Sequence, residues 1–80
     1  MIEKYKVIPK VVKVVQWNKD NFDEVIELCG TNAWTDNYGL SVRAANGTRL
    51  VFQGDFIIKD DEKFYVLDKE KFRNNYYKCE

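Results

Sequence analysis

The stretch VVKVVQW at residues 11–17 constrains the fold more than any other part of the chain. Its β-branched residues and terminal tryptophan are typical of a β-strand. Successive side chains of a strand point to opposite faces, and valines here fall on both faces. Such a strand needs apolar cover on both sides, so the pattern predicts a central strand of a sheet. The only proline, Pro9, lies just before it, at a position that suits the start of a strand.

A helix of about nine residues is predicted directly after this strand, within NFDEVIELCG at 21–30. Asn21 is a favourable N-cap, and Glu24 three residues later completes a capping-box pattern. Gly30 supplies the left-handed position that often follows a helix. Helical spacing predicts one apolar face that packs on the sheet, formed by Phe22, Val25, Ile26 and Cys29.

Two hairpins are predicted further along the chain, and the first turns at residues 45–47. Asn-Gly also suits a two-residue turn, but a three-residue loop with Gly47 in a bulge separates apolar from polar side chains better. This register pairs Val42 with Leu50. It predicts an apolar face formed by Leu40, Val42, Ala44, Leu50 and Phe52.

The second hairpin is predicted to turn at residues 60–62 and to pair Ile58 with Phe64. A structural corner precedes it. Gly54 lets the chain turn sharply there, and Asp55 accepts hydrogen bonds from nearby backbone N–H groups. The three acids at 60–62 are expected to be solvated at the hairpin tip.

A short helix is predicted near the end, with Asp68 as its cap and Leu67 and Phe72 in a hydrophobic staple. Phe72 and Tyr76 would then pack this helix against the sheet. The predicted order is β-α-β-β-β-β-α, which is a single compact α+β domain over residues 1–80, built on a small antiparallel sheet.

Residue types that usually carry catalysis are scarce. Histidine is absent, which removes the commonest general base and the commonest zinc ligand. Ser41 is the only serine and has no glycine elbow, and no glycine-rich phosphate loop is present. The acids at 60–62 could bind a hard cation, but adjacent acids do not match the alternating ligands of a calcium loop. We therefore expect no enzyme, with no catalytic residue, cofactor or metal.

Charge and hydropathy narrow the class of partner. The 13 basic and 13 acidic residues balance, whereas nucleic-acid binders usually carry a basic excess. We therefore expect no nucleic-acid partner. No apolar run approaches the roughly 20 residues that span a bilayer, so we expect no membrane partner either. A net charge near zero favours self-association, which is compatible with a homodimer. Cys29 and Cys79 form no C-x-x-C pair, and we expect both to be reduced inside a cell.

Six residues are candidates for an interaction surface. Trp34 and Tyr38 lie in the polar connection at 31–39, and exposed aromatic residues often anchor interfaces. The predicted registers also place like charges opposite each other, which is unfavourable: Arg43 with Arg49, and Lys59 with Lys63. Either these side chains extend into water, or they form a basic stripe on the outer sheet face that holds an anionic ligand or an acidic partner.

Seven motifs in this order give the chain a resemblance to a family of small, largely uncharacterised proteins encoded by phages and prophages. They are PKVVKVVQW at 9–17, NFDEV at 21–25, GLSV at 39–42, NG at 46–47, GDFII at 54–58, FY at 64–65 and FRNNY at 72–76. The resemblance covers nearly the whole chain. The chain departs from the family pattern at Lys63 and Val66, where the family often has a glycine and a proline.

The resemblance implies a phage gene product that acts in the cytoplasm of the bacterial host, and it brings no catalytic residues. Small phage accessory proteins often bind and inhibit a host factor, including components of defence systems. We therefore expect a non-enzymatic protein that binds a host bacterial protein. One alternative is a protein that sequesters a small nucleotide-like anion, held by the basic residues and stacked on Trp34 or Tyr38. Another is a component of the virion or of its assembly.

Overall fold

The computed structural model describes residues 2–7, 10–75 and 77–78. Within these residues the chain forms short strands, two α-helices and one 3-10 helix. In chain order they are β1 (Glu3–Val7), β2 (Lys10–Gln16), α1 (Phe22–Cys29), the 3-10 helix (Gly30–Asn32), β3 (Ala33–Asp36), β4 (Gly39–Ala44), β5 (Gly47–Val51), β6 (Phe56–Asp60), β7 (Lys63–Leu67), α2 (Lys69–Asn75) and β8 (Tyr77–Lys78).

The strands form two antiparallel sheets, one of five strands in the order β7-β6-β2-β1-β8 and one of three in the order β3-β4-β5. The predicted central position of β2 is confirmed, because two strands flank it on either side. Two helices with two antiparallel sheets make the predicted α+β fold. Strands β1, β3 and β8 are additions to the predicted element order, and Pro9 lies outside the described residues.

The five-stranded sheet carries a hydrophobic core on each face. Ile57 and Ile58 are neighbours in β6, point to opposite faces and are both fully buried. On the Ile57 side, α1 and the three-stranded sheet enclose the major core: Val15, Trp17, Val25, Leu28, Cys29, Ala33, Leu40, Val42, Val51, Ile57 and Phe64. On the Ile58 side, α2 covers the minor core: Val12, Val14, Ile58 and Phe72.

Helix α1 follows Asn21 and ends before Gly30, close to the predicted bounds. Gly30 has a positive φ of 59°, but its ψ of −130° lies outside the left-handed helical region, so the predicted left-handed C-terminal position is wrong. The predicted side-chain cap is wrong, because the Asn21 side chain is bonded in the other direction along the chain. Its Oδ1 accepts a hydrogen bond of 3.0 Å from the Asn18 N–H, and its Nδ2 donates one of 2.8 Å to the Gln16 carbonyl. These bonds tie the start of α1 to the end of β2.

The buried face of α1 is rotated relative to the prediction. Val25 and Cys29 are buried as predicted, and Phe22 is half-buried. Leu28 is buried as well, whereas Ile26 is 37% exposed. The buried positions still follow helical spacing, so the pattern holds with its centre moved toward Leu28.

Helix α2 has the predicted Asp68 cap and is held against the sheet by Leu67 and Phe72 as predicted. The Asp68 side chain accepts a hydrogen bond of 2.8 Å from a backbone N–H of the first turn. Phe72 is buried and stacks on Phe56 with ring centroids 3.9 Å apart, and Leu67 packs on the same cluster. Tyr76 lies outside the described residues. Neither described helix has the length and apolar character needed to cross a membrane.

The first hairpin has a shorter turn than predicted. Residues 45–46 form the turn, and Gly47 already pairs with Ala44. Every pair is therefore shifted by one residue, and such a shift turns the side chains of β5 over. The predicted apolar face is wrong for β5, where Leu50 is 38% exposed and Val51 is buried instead. The β4 residues of that face are buried as predicted: Leu40, Val42 and Ala44.

The second hairpin is shifted in the same way. Its turn contains only residues 61–62, and Asp61 adopts a positive φ of 56°. Aspartate tolerates this conformation better than most residues, which lets two residues close the hairpin. Ile58 consequently pairs with Tyr65, and the predicted pairing with Phe64 is wrong.

Candidate functional site

The corner between β5 and β6 is built from Gly54 and Asp55. Gly54 has a φ of 94°, which favours glycine. The Asp55 Oδ2 accepts a hydrogen bond of 3.0 Å from the Phe52 N–H, the kind of interaction that the sequence predicts for it. The Gly54 N–H donates to the Trp17 carbonyl at 2.8 Å, and the Trp17 N–H donates to the Asp55 carbonyl at 2.9 Å. These bonds fasten the corner to the end of β2.

The two arginines of the first hairpin point to opposite faces of the three-stranded sheet. Directly opposed residues in antiparallel strands share a face. Arg43 lies opposite Thr48, and Arg49 lies opposite Val42. The predicted Arg43–Arg49 pair is therefore wrong.

The two lysines of the second hairpin are also separated, and they belong to the five-stranded sheet. Lys63 lies opposite Asp60, which puts opposite charges across the ladder. Lys59 lies opposite Phe64, with its Nζ 5.9 Å from the ring centroid, within cation–π range. The predicted Lys59–Lys63 pair is wrong, and so is the single basic stripe, because both hairpin registers differ from the predicted ones by one residue.

The outer face of the three-stranded sheet brings two predicted residues together with one that was not predicted. Trp34, Ser41 and Leu50 form a row across β3, β4 and β5, because each is paired with the next. Arg43 lies on the same face, two residues after Ser41. Trp34 is half-buried, Leu50 is 38% exposed and Arg43 is exposed. Trp34, Arg43 and Leu50 together form the contact face.

Exposed apolar surface continues past the contact face. Tyr38 is 85% exposed and Phe52 is 64% exposed, and with Trp17 they line a cavity of about 380 Å³. Phe52 also lines a second cavity of about 360 Å³, together with Leu50 and Arg49. Phe52 thus connects Tyr38 to Leu50. Isolated exposed apolar residues are common, but a continuous set marks a surface for interaction.

Cys29 is shielded within the major core and is only 4% exposed. Burial raises the pKa of its thiol from 9.0 to about 12, and the positive charge of Lys59 opposes that rise. The thiol is protonated near neutral pH, which makes it a poor nucleophile. Cys29 is therefore a core residue, and Cys79 lies outside the described residues.

The acidic hairpin tip has an ordinary structural role. Asp61 and Glu62 are exposed as predicted and form the turn between β6 and β7, whereas Asp60 is half-buried at the end of β6, so the prediction of three solvated acids is wrong for Asp60. In the described part of the chain, no three acidic or cysteine side chains group closely enough to hold a metal ion. The contact face and the apolar surface beside it are therefore the stronger candidates for function.

Compared with known proteins, the chain matches no family model, no curated protein and no solved structure.

Proposed function

We propose that this chain is a non-enzymatic binding protein that engages a host bacterial protein through the contact face. The observation that carries the proposal is that Trp34, Arg43 and Leu50 share one face of the three-stranded sheet. Tryptophan and arginine are enriched among the residues that dominate interface energetics. The resemblance to phage-encoded proteins supports a role as an accessory protein that inhibits a host factor in the bacterial cytoplasm.

The chemistry of the contact face defines what the partner must present. Trp34 and Leu50 call for an apolar side chain, and Arg43 calls for a carboxylate, which a guanidinium can bind through two parallel hydrogen bonds. A stable interface buries roughly 800 Å² on each partner. Because neighbouring strands lie about 4.8 Å apart, one face of a three-stranded sheet is too narrow to supply that area. The proposed footprint therefore includes Tyr38 and Phe52.

Affinity capture from a bacterial lysate tests the proposal, with recovered proteins quantified by mass spectrometry. We expect one protein to be recovered in stoichiometric amounts by the wild type, and at least tenfold less by Arg43→Ala. Arg73→Ala is the matched control, because it removes the same type of side chain from an exposed position on α2, outside the proposed footprint. It should recover as much partner as the wild type.

Two further measurements make the result decisive. Melting curves of both variants establish that the fold is intact. Equal recovery by Arg43→Ala and Arg73→Ala would contradict the proposal. Sedimentation of the purified wild type and of Arg43→Ala distinguishes binding of a host protein from self-association. A wild-type dimer that dissociates in Arg43→Ala would assign the contact face to self-association.

A further inference from the structure

Three lysines form a row across three adjacent strands of the five-stranded sheet. Lys13 of β2 lies directly opposite Lys4 of β1 on one side and Lys59 of β6 on the other. The three side chains therefore share a face. That face is the one covered by α1, because Lys13 is two residues from Val15 and Lys59 is two residues from Ile57. Neighbouring strands are about 4.8 Å apart, so the row spans about 10 Å at the backbone.

This lysine row lines a cavity of about 270 Å³ beside α1, completed by Ile2, Glu27 and Leu28. The lining carries three lysines and one glutamate, which leaves a formal excess of two positive charges. Lys59 is half-buried, and its Nζ lies 5.9 Å from the Phe64 ring, so this lysine is held close to the sheet. Lys4 and Lys13 are exposed and free to approach a ligand from the other side.

Glu27 offsets one of the three positive charges of the lysine row, and the remaining excess is unfavourable without a bound anion. Like charges directly opposite destabilise a sheet, and Lys13 has one on each side. A ligand with several closely spaced negative charges would replace this repulsion with attraction. Lysine binds phosphate groups well, as a compact charge with rotatable donors.

The cavity volume limits how much of a ligand is enclosed. Pockets that enclose a whole drug-sized ligand measure about 300–1,000 Å³. At about 270 Å³, this cavity suits a chain of phosphate groups, with any attached nucleoside outside.

We propose that the lysine row binds the phosphate chain of a small polyphosphorylated ligand. This role is separate from the contact face and does not depend on it. A nucleoside triphosphate and inorganic polyphosphate share the required chemistry, and the experiment distinguishes them.

Thermal unfolding and titration calorimetry on the full chain test the proposal, with tripolyphosphate and ATP at matched ionic strength. We expect a saturable rise in Tm, of about 10 °C or more at 100 times the Kd. Equal affinity for both probes would support a site for the phosphate chain alone. Tighter binding of ATP would support the same site with an added nucleoside contact.

Lys13→Gln supplies the decisive variant. It should weaken tripolyphosphate binding at least tenfold and raise the Tm of the free protein, because it removes both repulsions. Lys69→Gln, an exposed lysine on α2, is the matched control and should bind as the wild type does. If Lys13→Gln fails to fold, Lys4→Gln shortens the row from one end and takes its place.

Three results would overturn the proposal. One is a tripolyphosphate effect no larger than that of sodium chloride at equal ionic strength. Another is unchanged affinity in the folded lysine variant. The third is binding of a single-stranded oligonucleotide without binding of tripolyphosphate.

Discussion

The two faces of the five-stranded sheet differ in what covers them. The major core draws eleven of the described residues from α1, the three-stranded sheet and the larger sheet. The minor core contains four, under the seven-residue helix α2. A helix this short has little stability of its own, so α2 depends on its packing. Within the described residues, the sheet therefore carries a core enclosed by several elements on one face and a core covered by one short helix on the other.

The largest expected effect comes from substituting the two adjacent isoleucines of β6. Replacing a buried isoleucine with alanine costs about 2–5 kcal/mol, depending on how far the surroundings collapse. We expect Ile57→Ala to fall near the upper end, because several elements enclose Ile57. We expect Ile58→Ala to fall near the lower end, because α2 can move into the space. Urea unfolding measures both free energies, and equal costs would contradict the difference between the cores.

A second prediction concerns pH and the major core. Burial raises the pKa of Cys29 from 9.0 to about 12, so the unfolded thiol ionises at a lower pH than the folded one. The contribution of Cys29 to stability is therefore complete below pH 9.0 and is lost as the pH rises toward 12. The loss is at most about 1.4 kcal/mol per pH unit.

Two proteins are compared in this test. One carries Cys79→Ser alone, and the other carries Cys79→Ser together with Cys29→Ala. Groups that titrate in both proteins then cancel when the two stability curves are subtracted between about pH 8 and 10.5. Stability of the protein that retains Cys29 should fall more steeply. Parallel curves would show that burial in the major core does not protect the thiol.

The smallest effect is expected at the cap of α2. Asp68→Ala removes the hydrogen bond of 2.8 Å to the first turn, at a cost of about 1 kcal/mol. Hydrogen exchange should show faster opening of α2 amides with little change in α1. Asp68→Asn keeps a capping oxygen and serves as the control. Equal acceleration in both helices would mean that α2 does not open separately.

Patterns that depend on neighbouring residues predict the fold well. The valines of β2 predict a central strand, and the spacing around Val25 and Cys29 predicts α1. The Asp68 cap is equally local. Strand β3 escapes prediction because its segment is polar and forms a strand only by pairing with β4 across the short turn at residues 37–38.

Hairpin registers are harder to predict, because one residue more or less in the turn moves every side chain of a strand to the opposite face of the sheet. Two apolar residues, Leu50 and Phe52, favour the predicted face, yet Val51 alone fills the core. The same error hides part of the candidate site, since Leu50 reaches the contact face only in the actual register. Trp34 and Arg43 can be chosen from residue type alone, but their shared face depends on β3. Places where a sequence pattern fails are often functional.

The order of strands also has a consequence for folding kinetics. β2 and β6 pair at the centre of the larger sheet, although residues 17–55 lie between them along the chain. Closing so long a loop loses entropy before the pairing returns any stability, and such non-local pairs slow folding. The local hairpins form on a scale of about 1–10 μs. One edge of the valine-rich β2 therefore stays unpaired until β6 arrives, and it can pair with another chain during that time. We expect the refolding yield to fall as the protein concentration rises.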